Sequence, residues 1–403
     1  MNPAVFSNQS LFSEPQHVGG PIVEPETRER FHRLADEAFA RNWLTNAGPF
    51  TVRLEEEVAR RHGVADAVFM TNATLAQMVL MKAMGLDGGE VLVSADTFIA
   101  TPHVCEWLGM RPVFVDLEPH TLNLDPVDCA RRMTSATRAI VPTHVFGVLA
   151  DMEALSGLAR ERGVQLLADA AHAFDCDRGG RRPGEFGAPE FLSFHATKFF
   201  STLEGGAVLT NDESLAREMR ELRNFGFDRP GDAGKLGTNA KASEISAAFG
   251  LASLPALEER KRRLKRVRDI YIAELSGVPG LRIHQLDAAG RNNYRYFSCF
   301  IEEGFGLCRD AVDRALQREN ILTKLYFHPG CHRMTYYSSR EDGEPTKLPN
   351  TDKALGSILC LPTSFVGVNP EEAAKSIAGV LVALHERAGE VAEWWAKTRP
   401  GLS

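Results

Sequence analysis

The sequence predicts an α/β protein built on a mostly parallel sheet. Three observations carry that expectation. Short apolar runs without polar alternation recur from Ala67 to Thr210, as strands covered on both faces require. Segments with apolar residues at helical spacing separate them, the βαβ pattern. Residues able to do chemistry fall at the carboxyl ends of the runs, where open α/β sheets hold ligands.

Length and composition set the frame. A chain of 403 residues exceeds one small core, so two lobes, or one large domain with an appendage, are expected. Hydrophobic residues make up 44% and charged residues 25%, as in ordinary soluble globular proteins. A net charge of -7 carries no footprint of nucleic-acid binding. No apolar run reaches the roughly 18 residues of a membrane span, and Met1 to Ser7 lacks the basic start and apolar stretch of a signal peptide. The 7 cysteines are scattered without a CxxC pair. They read as reduced thiols of a cytoplasmic protein, with neither a disulfide frame nor a metal site.

In order along the chain, residues to about Pro21 read as an arm on the surface. Phe31, Leu34, Ala35, Ala38 and Phe39 predict a helix within Glu24 to Arg41. Asn42 to Phe50 reads as a loop, and Thr51 as the cap of a helix through Arg61. Strands are expected at Ala67–Met70, Val91–Val93, Pro112–Val115, Ala139–Pro142, Val164–Ala168, in the apolar run that begins at Glu190, and at Ala207–Thr210. Helices fall between most of them, among them Thr74 to Met84 and Met152 to Arg162. Phe225 to Leu236 is glycine-rich and reads as a long loop. A helical pattern from Ala242 to about Leu275 is interrupted near Pro255. Its basic run from Arg260 to Arg268 sits beside Glu258 and Glu259 and reads as a solvated face. Beyond Val278, Tyr296–Ile301 and Ile321–Leu325 read as strands, and Arg309 to Glu319 and Glu371 to Trp395 as helices, an α+β arrangement.

Several residues at strand ends could carry chemistry. Thr71-Asn72-Ala73-Thr74-Leu75 precedes a helix, whose free N–H groups and dipole favour a phosphate; a plain N-cap explains the same residues. Asp169 follows an apolar strand, as a helix cap or as partner of a ligand cation such as the pyridinium of pyridoxal phosphate. Phe98 could lie on a flat heteroaromatic ring or belong to the core. Ser193 could add a hydroxyl to a phosphate cradle. Lys198 leaves the apolar run Glu190–Phe194, and a desolvated lysine can act as an amine nucleophile and form a Schiff base. A surface lysine at a strand end is the plainer reading. No GxGxxG follows a strand, Gly234-Lys235 lacks the Ser or Thr of a P-loop, and no HExxH occurs. Ser193 and His195 share a strand face but have no GxSxG elbow.

Taken together, Ser193-Phe194-His195-Ala196-Thr197-Lys198 and Glu204-Gly205-Gly206 resemble the signature of the DegT/DnrJ/EryC1/StrS sugar aminotransferases. Gly48-Pro49, Asn72-Ala73-Thr74, Thr97-Phe98-Ile99-Ala100-Thr101, Pro142-Thr143-His144-Val145-Phe146-Gly147, Asp169-Ala170-Ala171-His172 and Gly237-Thr238-Asn239 resemble further pieces of it. The resemblance implies a fold-type-I enzyme: a large domain with N-terminal arm (1–255) around a mostly parallel seven-stranded sheet, and a smaller C-terminal α+β domain (256–403). It implies pyridoxal 5'-phosphate as cofactor and a homodimer with shared active sites. By motif match Lys198 would hold the cofactor and shuttle protons, and Asp169 would pair with its ring nitrogen. Phe98 would stack on the ring, and Ala73, Thr74, Leu75 and Ser193 would cradle the phosphate. Asn239 would reach in from the neighbouring subunit.

His172 stands where the family usually has Gln, and Ala240-Lys241 where Tyr-Arg often follows. Lys198 in place of the histidine of family dehydratases favours transamination. The implied substrates are L-glutamate and a nucleotide-linked ketosugar, dTDP-4-keto-6-deoxy-D-glucose aminated at C4, in deoxyaminosugar biosynthesis. The alternatives are a 3-ketosugar aminotransferase and a catalytically idle cofactor-binding regulator. Trp43, Tyr326, His328 and His332 are candidate sugar contacts.

Overall fold

The large sheet runs through the middle of the computed structural model, which describes residues 3–7, 9–286, 290–339 and 346–398. Its strands are β1 (Asp66–Met70), β2 (Glu90–Ser94), β3 (Arg111–Val115), β4 (Thr137–Val141), β5 (Gln165–Leu166 with Ala168–Asp169), β6 (Glu190–Ser193) and β7 (Gly206–Thr210). Their spatial order is β1-β7-β6-β5-β4-β2-β3, and β7 alone runs antiparallel to its neighbours. The first half of β5 pairs with β4 and the second with β6, and the Asp169 N–H donates to Pro142 O at 2.9 Å across the join.

The unbroken apolar runs have the expected cause. Leu92 and Ile140 point into one buried cluster, while Val91, Val93, Ala139 and Val141 point into the other. Both faces are therefore core, and each of the Val, Leu and Ile side chains contributes about 1.5–3 kcal/mol by burial. The strands are thereby fixed in register, because a slip of one residue would exchange the two clusters.

The C-terminal part is built on an antiparallel sheet of Leu281–Ile283, Phe297–Ile301 and Ile358–Leu361. Helices Leu257–Leu275 and Pro370–Glu386 pack against one another beside it, Val267, Tyr271, Ile377 and Leu381 sharing its core. The long terminal helix expected from Glu371 to Trp395 is two, Pro370–Glu386 and Ala388–Thr398, parted at Arg387, where φ is -113° and ψ 28°. Ile321–Leu325 shortens to Ile321–Leu322.

Three other local expectations change. The N-terminal arm does not merely lie on the surface. Ala4, Phe12, Gln16 and Val18 are buried, and Gln16–His17 pairs in parallel with Ile321–Leu322. Its few apolar residues fill holes in the C-terminal part, and such spacing leaves no period to read. Thr51 is not the helix cap. The helix starts at Pro49, and the carboxylate of Glu244 accepts from the N–H groups of Phe50 (2.7 Å) and Thr51 (2.9 Å). The segment Phe225 to Leu236 is not all loop, for Phe227–Arg229 and Asp232–Ala233 form a short antiparallel hairpin.

The basic helix is only partly a solvated face. Arg262, Lys265 and Arg266 make exposed ion pairs with Glu259, Asp269 and Glu371. Arg260 instead is buried against Glu24 (2.6 Å) and Phe199 O (2.7 Å), and Lys261 bonds to Asp175. These two tie the helix to the large sheet's periphery.

Candidate active site

Strand ends and loops converge on a cavity of about 400 Å³. Asn72, Ala73, Thr74, Phe98, Thr101, Asp169, His172, Ser193, Lys198, Lys324 and Tyr326 are among the residues that line it. The arm reaches it through Val18.

Lys198 is delivered by a pinned loop. After β6 ends at Ser193, the Phe194 N–H donates to Gly205 O at 2.8 Å and the Thr202 N–H to Phe194 O at 2.9 Å, closing the base of the loop. Phe194, Phe199 and Phe200 are buried, and Phe200 stacks on Phe174 with centroids 4.6 Å apart. These anchors leave Lys198 partly exposed towards the cavity. Desolvation draws its amine down to about 8, the Asp169 carboxylate opposing and the Arg295 guanidinium assisting. An amine so placed is neutral far more often than an ordinary lysine, as a nucleophile or general base must be.

Asp169 is the buried counterpart. Its Oδ2 accepts from Thr101 Oγ1 at 2.8 Å and its Oδ1 from the Ala171 N–H at 2.9 Å. Burial raises its carboxyl above the usual range despite these bonds and the nearby Lys198. A cationic ring nitrogen in the cavity would restore the carboxylate, so the site fits a pyridinium.

The phosphate end also fits. Helix Ala73–Ala83 opens on the cavity, with Thr74 in its first turn. Gly206 allows the approach: a Cβ there would stand 2.5 Å from Ala73 N. Ser193 ends the adjacent strand and lines the same space. Leu75 differs from expectation, because its N–H is taken by the Asn72 side chain at 2.9 Å and it does not line the cavity. The Ala73 and Thr74 N–H groups are the better phosphate donors.

His172 is buried under Tyr296, 4.3 Å between centroids, and beside Phe327, stacked at 5.9 Å. Burial first, and then Lys198, hold it well below the usual histidine range. It is therefore neutral, and with Nδ1 accepting a backbone N–H its proton sits on Nε2. Phe98 is 62% exposed at the cavity wall, its ring 6.5 Å from Phe327.

Other expected contacts do not meet at this cavity. Asn239 is exposed, outside the cavity, and accepts from Lys241 Nζ at 2.7 Å. Trp43 donates to Thr45 O, His328 faces Leu355 O, and His332 is buried against Asp352. Of the four sugar candidates, only Tyr326 lines the cavity. Sequence reading missed Thr101, Lys324 and Arg295. Thr101 stands one helical turn after Thr97 and could have been found by that spacing; Lys324 and Arg295 carry no local signal.

Comparison with known proteins agrees with this geometry. Residues 25–381 match the model of the DegT/DnrJ/EryC1/StrS aminotransferase family. The chain is 32% identical to the dTDP-4-amino-4,6-dideoxy-D-glucose transaminase of Escherichia coli over 354 residues, 87% of this chain and 95% of that protein. It is 33% identical to the GDP-perosamine synthase of Caulobacter vibrioides, over 80% of this chain and 86% of that one. Among solved structures, DesI in the presence of its TDP-sugar product superposes with a TM-score of 0.91 at 38% identity, covering 98% of this chain and 99% of that one.

Proposed function

Since the chain belongs to the DegT/DnrJ/EryC1/StrS aminotransferase family and is a pyridoxal-phosphate-dependent sugar aminotransferase, we propose that it moves the amino group of L-glutamate to C4 of dTDP-4-keto-6-deoxy-D-glucose. The observation that carries this reading is the pairing of Lys198 and Asp169 in one cavity. The names of the Escherichia coli transaminase and of the DesI complex support the sugar and its nucleotide.

Pyridoxal phosphate supplies the electron sink when bound. The chain's own residues do the rest. Lys198 would hold the cofactor through its amine and, once displaced by the donor, would act as general base towards the proton on the donor's α-carbon and then as general acid. Asp169, oriented by Thr101 and Ala171, would keep the ring nitrogen protonated. Ala73, Thr74 and Ser193 would hold the phosphate, His172 would offer its Nε2 proton to the ring's phenolic oxygen, and Phe98 would cover the ring.

Lys324 is exposed at the cavity, and among the described residues no carboxylate pairs with it. Its backbone is fixed by reciprocal bonds with Cys360, 3.2 and 2.8 Å. It is placed to meet the diphosphate of a sugar nucleotide. A second copy of the chain completes the site in this reading, bringing Asn239. Exposed Trp43, Phe98, Phe225, Phe227 and Leu236 are the apolar surface such a homodimer would cover. Free thiols, six of them buried, suit a cytoplasmic enzyme, and no helix among the described residues is long and apolar enough to cross a membrane.

The test is 2-oxoglutarate release from glutamate, measured with the 4-ketosugar on dTDP, the same sugar on GDP, and a 3-ketosugar on dTDP. Multiple turnovers only with the first support the proposal; turnover only with the 3-ketosugar, or with none, refutes it.

A further inference from the structure

Arg295 is an unusual cation. It is 1% exposed, yet no carboxylate lies within ion-pairing distance of it among the described residues. Its guanidinium is held by neutral oxygens only. Nε donates to Thr197 O at 2.9 Å, Nη2 to Gly20 O at 2.6 Å, and Nη1 to Ser364 Oγ at 3.1 Å. Ser364 Oγ also donates to Gly20 O at 3.2 Å. One side chain thus joins the N-terminal arm, the residue before Lys198, and the C-terminal part.

A buried, uncompensated charge is costly, and an apolar residue of similar volume would usually be the more stable choice. Structural clamping alone does not call for a full charge there. The field of that charge falls on the Lys198 loop, which its own hydrogen bond to Thr197 O fixes in place.

We propose that Arg295 is a positioning residue for Lys198, fixing its loop against arm and C-terminal part and making a proton on the Lys198 nitrogen less favourable through like-charge repulsion. Other groups around Lys198 are Asp169, which opposes this effect, His172, and at the cavity wall His195 and Glu204. Around Arg295 stand Tyr296, Tyr326, Arg260 and Arg263, and both of these arginines face Glu24. Among the described residues Lys324, at the same cavity wall, also lacks a carboxylate partner, but it is exposed and screened by solvent, whereas the charge of buried Arg295 is not. Burial draws the guanidinium down to about 10, so it stays charged throughout the working range.

The inference rests on Lys198 carrying the cofactor, and is independent of which sugar is aminated. Its test is a spectroscopic pH titration of the purified holoenzyme, following protonation at Lys198 Nζ through the visible absorption. Arg295→Gln should move the midpoint up by about one pH unit, as loss of a nearby like charge does. Arg295→Lys, which keeps the charge, and Ser364→Ala, which removes a clamp bond only, should stay within about 0.3 unit of the wild type. An unmoved midpoint in Arg295→Gln, or a full-unit rise in either control, would overturn the proposal. If Arg295→Gln does not fold, Arg295→Met, which also removes the charge, takes its place with the same expected rise, and an unmoved midpoint there would likewise overturn the proposal. A wild-type protein with no visible chromophore would sink the proposed function instead, and so is a distinct failure.

Discussion

The backbone N–H of Phe146 donates to Nδ1 of His172 at 3.3 Å. The bond exists because Phe146 takes a left-handed turn, φ 54°, and Asn292 holds that turn by donating to Phe146 O at 3.0 Å. Gly147 follows at φ 79°, where a Cβ would come within 2.8 Å of Cys176 Sγ. The turn therefore sets the tautomer of a cavity histidine, and through it the direction of a donor.

From this follows the first prediction. His172→Gln preserves a donor and should keep kcat within about tenfold of the wild type, with an unchanged pH profile, because His172 does not titrate in the working range. His172→Leu should lose about 10- to 100-fold, the value of one buried hydrogen bond to the reacting system. Steady-state rates from pH 6 upward check both.

Asp169→Asn keeps the shape and removes the charge. The expected loss in kcat is about 10²-fold or more, as for removal of a preorganised electrostatic partner. Cofactor should still bind, which separates this variant from a folding defect. A kcat within a few-fold of the wild type would deny Asp169 its role.

Lys324→Met should raise KM for the sugar nucleotide by about two- to fivefold, the effect of one exposed ion contact to phosphate. The half-reaction with glutamate should not change. Equal effects on both substrates would place Lys324 outside the nucleotide subsite.

Two buried histidines should take stability away in acid. Burial draws His62 and His284 down to about 4 from 6.5. At these two sites the unfolded chain binds more protons than the folded one below pH 6.5, so their contribution is lost as pH falls from there towards 4, up to about 3 kcal/mol each. Asp96 works the other way, because burial raises its carboxyl to about 8 and the folded chain holds its proton over the same range. Denaturant midpoints of the wild type and His62→Met across that range check the histidine share: the variant should lose less stability, or gain more, than the wild type as pH falls from 6.5 to 4.

Much of the fold was legible because it is written in local pattern. Helix Met152–Arg162 matches its expected bounds, capped by Asp151 and ended by Gly163 at φ 66°. The β-strands of the large sheet were found as apolar runs. The site was legible where motif and strand end coincide, as at Asp169, Ser193 and Lys198. What was not legible is tertiary. Glu244 caps a helix that starts 195 residues earlier, and nothing around Thr51 announces it. Arg295 joins three distant segments and reads as one more basic residue. Trp43, His328 and His332 carry suitable chemistry, but each is spent on a local bond.

The most direct test of the central claim is borohydride reduction of the yellow holoenzyme followed by peptide mapping. The phosphopyridoxyl label should fall on Lys198 alone, with none in Lys198→Ala, whose circular dichroism should match the wild type. Label on another lysine, or a Lys198→Ala protein that keeps the visible chromophore, would contradict it.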